Sequence, residues 1–149
     1  MKKIFLIGFI LLLVTGCGNS VKEAKSLNDF YNTATEKELI VSDNMASYTA
    51  DYIKEAMIAS KDDLEIEMIA YDNEENASKI QDEHIKSFMN RKSSSAIIKK
   101  KNGNNYYKYT MVTNGYYLVS SRIGNTLIFT RTEVKNKEVV DSILDLMGY

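Results

Sequence analysis

The chain has no proline and no tryptophan, one cysteine and one histidine in 149 residues. A single cysteine excludes an internal disulfide framework, and together with one histidine it makes a cysteine- and histidine-ligated zinc site improbable. No Gly-x-Ser-x-Gly elbow and no glycine-rich phosphate loop occurs, so neither a serine-hydrolase nor a nucleotide-binding signature is present. Charge of one sign is scarce in each half. Residues 17–90 carry 7 Lys or Arg against 16 Asp or Glu, whereas residues 91–149 carry 10 against 4. The overall balance is only −1, and 44% of residues are hydrophobic, which suits one folded domain.

What is present begins at the front. Lys2 and Lys3 precede an apolar run from Ile4 to Val14. As a helix that run would reach roughly 17 Å, short of a hydrocarbon core of about 30 Å. It reads as the apolar region of an export signal rather than a membrane span. Small residues follow, in Val14-Thr15-Gly16-Cys17. This stretch resembles the lipobox of bacterial lipoproteins, with valine where leucine is commoner. The resemblance implies a diacylglyceryl group on Cys17, cleavage before it, and a domain held on the extracytoplasmic face of the cell membrane. It explains why a solitary thiol would enter an oxidising compartment. The expected organisation is a signal peptide over 1–16, lipidated Cys17 with a short polar tether to Lys25, and a single domain over 26–149. The general look of that domain resembles small exported lipoproteins of Gram-positive bacteria.

Within the domain, Ser26 can cap a helix that places Leu27, Phe30, Tyr31 and Ala34 on one side. "ELIVSD" reads as a turn into a short strand or extended segment. Residues 45–60 fit either a helical stripe or the first arm of a hairpin turning at "KDD", and the alternation of "LEIEMIAYD" favours the hairpin. Asp72 with Glu75 three residues on resembles a capping box, opening a helix to about Asn90. Four strands are expected at 94–101, 105–113, 116–122 and 126–132. The turns "NGN", "NG" and "GN" between them supply residues that tolerate positive φ. Val139, Val140, Ile143, Leu144 and Met147 form a last amphipathic helix stopped by Gly148. The expected fold is α+β: an antiparallel sheet of about five strands in β-α-β-β-β-β-α order, preceded by a helix, with the helices on one face.

His84 is the only candidate general base, and it lies at the edge of an apolar helical stripe, where a structural role suffices. The acidic clusters Asp62-Asp63, "DNEEN" at 72–76 and Asp82-Glu83 fit turns and helix starts better than a calcium loop. The stretch "RKSSSAIIKKKNGNNYYKY", residues 91–109, carries six positive charges, no negative ones and three tyrosines. Its Lys99, Lys100, Lys101, Tyr106, Tyr107, Lys108 and Tyr109 form the candidate binding face. Export argues against nucleic acid and for anionic headgroups or envelope polymers. Lysines on an edge strand that block edge-to-edge pairing account for the same pattern without a ligand. Tyr116, Tyr117, Arg122, Phe129 and Arg131 could extend the surface, though alternation permits only half of them to face outward. The expected function is binding of an envelope protein or anionic envelope polymer, with no catalysis and no cofactor. The alternative is an envelope hydrolase using His84.

Overall fold

The computed structural model describes residues 20–149. The export signal over 1–16 and lipid attachment at Cys17 lie outside the described residues. Helix α1 (Leu27–Glu36) opens with a capping box. Asp29 N–H donates to Ser26 Oγ at 3.1 Å, and Ser26 N–H donates to the Asp29 carboxylate at 2.9 Å. Two of the otherwise orphaned amides at that terminus are thereby satisfied. Strands β1 (Ile40–Asp43), β2 (Ile53–Lys61) and β3 (Leu64–Tyr71) follow, then helix α2 (Glu74–Met89). The cap of α2 is Asn73, not Asp72: Asn73 Oδ1 accepts from Asn76 N–H, while Asp72 takes the Asn76 side-chain amide. Strands β4 (Ile97–Asn102), β5 (Tyr106–Thr113), β6 (Tyr116–Ile123) and β7 (Thr126–Glu133) lead to helix α3 (Lys137–Met147). Gly148, at φ +81°, supplies the left-handed stop of α3.

All strands join one antiparallel sheet in the order β1-β2-β3-β7-β6-β5-β4. The sheet has seven strands rather than about five. The two beyond that count are β1, at the short extended segment, and β2, the hairpin arm favoured for the ambiguous stretch 45–60, which opens with a short 3-10 turn, Met45–Ser47. The placement of the helices also differs from expectation, because they cover both faces. On one face α1 and α3 bury Leu27, Phe30, Ala34, Val140, Ile143 and Leu144 against Ala59, Ile66, Met68, Val119 and Ile128. On the other, α2 lays Ala77 beside Ile69 and Leu127, and Phe88 beside Tyr109, Met111 and Leu118. Neighbouring residues such as Leu118 and Val119, or Leu127 and Ile128, therefore point into different cores. An antiparallel strand buried on both sides needs such a continuous apolar run, and "YYLV" and "TLIF" carry it.

Both edges are blunted. β1 is only four residues long, and β4 carries exposed Lys99, Lys100 and Lys101. Short or lysine-rich edges resist pairing with another chain.

Candidate functional site

The basic stretch 91–109 runs from the end of α2 through β4 and into β5. Pairing of Lys99 with Thr110 and of Lys101 with Lys108 puts these residues on the face that carries α1 and α3. Lys100 pairs with Tyr109 and belongs to the α2 face, where its ammonium lies 5.7 Å from the Tyr109 ring centroid. The candidate face is thus divided by the sheet. Tyr106 and Tyr109 are buried, so they cannot meet a partner. Tyr109 packs on Phe88 and its hydroxyl contacts Met89 Sδ at 3.2 Å. Tyr107 is half-buried, with its carbonyl accepting from Gln81 Nε2 at 2.7 Å.

Where the helical layer ends short of β4, a groove of about 390 Å³ opens between α3 and the β4–β5 hairpin. Ile97, Lys99 and Lys101 line it from β4, and Lys108 and Val112 from β5. The α3 wall presents Lys137, Asp141 and Asp145. Asp141 is committed to structure. It accepts from Tyr117 Oη at 2.6 Å and pairs with Lys137. Burial alone would raise the Asp141 pKa, but the Lys137 ammonium and the Tyr117 hydroxyl outweigh it and hold the carboxyl below its ordinary value. Lys108 is half-buried, and burial pushes its pKa down against the opposing pull of Asp141 and Asp145. An anion entering the groove would replace water that Lys108 has already partly lost. The groove's Lys137 and Asp141 escaped the sequence reading, because they are remote from the basic stretch and only the tertiary fold brings them to it; Tyr117, considered as a surface residue, instead lies buried at the groove's floor.

A second feature was also missed. Residues 20–25, expected as a free tether, are docked on the domain. Asn104 N–H donates to Ser20 O at 3.3 Å, and Ser20 Oγ lies 3.0 Å from Tyr106 Oη. Lys22 N–H donates to Asn105 Oδ1 at 2.9 Å, and Asn105 Nδ2 donates to Lys22 O at 2.7 Å. The ammonium of Lys22 reaches Gly148 O, and that of Lys25 donates to Leu146 O at 2.7 Å. Cations are favourable at these last carbonyls of a helix. Gly103 is needed for the approach rather than for positive φ, since a Cβ there would lie 2.6 Å from Ser20 O and 2.2 Å from the Tyr106 ring.

The tyrosine–arginine set also divides. Tyr117 is buried, Arg122 pairs with Glu74 at 2.5 Å, and Phe129 packs against His84 and Phe88. Tyr116 and Arg131 remain exposed, with the guanidinium 5.3 Å from the ring centroid. His84 lies against Phe129, with ring centroids 4.1 Å apart and Nδ1 3.5 Å from Ser120 Oγ. Burial pushes its pKa down to about 4. Ser120 is itself fully buried under α2, so its hydroxyl faces no open cleft. Among the described residues no helix is long and apolar enough to cross a membrane, and no group of three or more His, Cys, Asp or Glu gathers as metal ligands.

No protein-family model matches the chain, and no curated protein matches it. Among solved structures it is similar to a GTP binding regulator from Thermotoga maritima, over 87% of this chain and 92% of the other. Identity is 19% and the TM-score 0.49, and nothing about activity follows from that likeness.

Proposed function

We propose that the protein is an extracytoplasmic lipoprotein, held to the membrane through Cys17, whose domain binds an anionic envelope component and performs no catalysis. The observation that carries this reading is the groove beside β4. Lys99, Lys101 and Lys108 reach it from two strands, Asp141 is already occupied by Tyr117 and Lys137, and Asp145 is the one other acid on its wall. An envelope protein with an acidic surface and an anionic envelope polymer both fit that chemistry. The hydrolase alternative draws no support from this geometry, because the hydroxyl against His84 is sealed beneath α2.

The test is retention of residues 20–149 on an immobilised glycerol-phosphate polymer at rising salt. Wild type and His84→Ala are expected to be retained alike. Substitution of Lys99, Lys100 and Lys101 by Glu should weaken binding more than about tenfold, given roughly 1 kcal/mol per lysine near an anionic surface. Equal retention of the triple variant would overturn the reading.

A further inference from the structure

The docked segment 20–25 determines which end of the domain can approach the bilayer. Two residues, Gly18 and Asn19, lie between Cys17 and Ser20, and the three Cα-to-Cα steps span at most about 11 Å. Ser20 is fixed against Gly103, Asn104 and Tyr106 at the turn between β4 and β5. We infer that the domain stands on the membrane on this end of the sheet, with the β4 edge against anionic phospholipid headgroups, so that the headgroup layer itself is the anionic partner. The inference rests on the anchoring of Cys17 proposed above.

Charge around that end agrees. Lys25, Lys99, Lys100 and Lys101 are exposed near the strap and β4, where Glu23 and Asp145 are the opposing exposed acids. The acids Asp72 and Glu75 follow β3 at the same end of the sheet, and β3 lies four strand positions from β4, while Glu74 between them is neutralised by Arg122 on β6. At about 4.8 Å per strand that is roughly 19 Å away. A negative surface therefore attracts the β4 side and repels the β3 side, tipping the lysine edge toward lipid. Val21, exposed within the docked segment itself, adds an apolar group at the point of contact.

The experiment uses the full-length lipidated chain in vesicles of phosphatidylglycerol and phosphatidylcholine with nitroxide-bearing headgroups. Acylation blocks the Cys17 thiol, so Asn104→Cys or Ser94→Cys gives a single site for a fluorophore. Ser94 adjoins Ser93, which is bonded to Thr113 at the far end of β5. Eight residues of β5 separate the two ends, about 24 Å. The label at 104 is expected to lose its fluorescence and the label at 94 to keep it. Changing Lys99, Lys100 and Lys101 to Glu should restore much of the signal at 104. Equal quenching at both sites, or unchanged quenching in the triple variant, would overturn the inference. Failure of the anchor itself reads out separately: unsubstituted protein would then leave Cys17 reactive to maleimide and would not float with the vesicles.

Discussion

Asn105 engages both polar groups of the Lys22 backbone, accepting from its N–H at 2.9 Å and donating to its carbonyl at 2.7 Å. One side-chain amide thereby does what a paired strand residue would do. Replacing it removes two partners at once. Asn105→Ala should cost about 1–2 kcal/mol in urea unfolding and expose residues 20–25 to amide exchange and proteolysis. Unchanged protection of those residues would show that the strap is held by other contacts.

Asp141 sits on the groove wall as the acceptor for Tyr117. Asp141→Asn keeps an oxygen for that hydroxyl while removing one negative charge. Retention on the glycerol-phosphate polymer should persist to higher salt. An unchanged salt profile would place the polymer elsewhere on the surface.

Burial holds His84 at about 4, against an ordinary value of 6.5. Between those values the unfolded chain binds a proton that the folded one refuses. The His84 contribution should therefore lower stability as pH drops from about 6.5 to 4, by up to about 3 kcal/mol, and is complete below that, where carboxylates such as Asp141 take over the loss. Urea unfolding at intervals through the window should show this slope in wild type and lack it in His84→Gln. The same slope in both would assign the loss to other groups.

Lysines on β4 guard an edge that is otherwise open to pairing, beside Ile97 at 59% exposure. Lys99→Val with Lys101→Val should cause concentration-dependent association in sedimentation velocity, while wild type sediments as one species. A variant that remains unassociated at the highest concentration would show that another feature protects the edge.

The Tyr71 hydroxyl is buried and finds no hydrogen-bond partner among the described residues. Tyr71→Phe removes a polar group whose burial is uncompensated and keeps the stacking on Tyr52 at 6.3 Å. Stability should rise by about 1 kcal/mol. A loss instead would mean that the hydroxyl is satisfied in solution.

Much of the architecture was legible because local signals agreed. Ser26 with Asp29, the alternation of residues 64–71, Asn114-Gly115 at positive φ and Gly148 as a stop are each short-range features. The distribution of helices was not, since α2 and α3 each show one apolar stripe and a stripe does not say which face it covers. The unbroken apolar runs in β6 and β7 held that information, and only the doubly covered sheet makes sense of them. The basic face was misjudged for a related reason: composition drew Tyr106 and Tyr109 into it, whereas register buries both. Docking of residues 20–25 depends on contacts across more than eighty positions, which no local pattern carries.

Tyr149 is an anchoring point in its own right. Tyr149 is buried, its hydroxyl bonds Thr126, and its carbonyl accepts from Lys108, a few ångströms from where Lys22 grips Gly148. A purification handle fused after Tyr149 would have to leave through that junction and would disturb the seat of residues 20–25. Handles placed at the Asn114-Gly115 hairpin, at the opposite end of the sheet, would leave it intact.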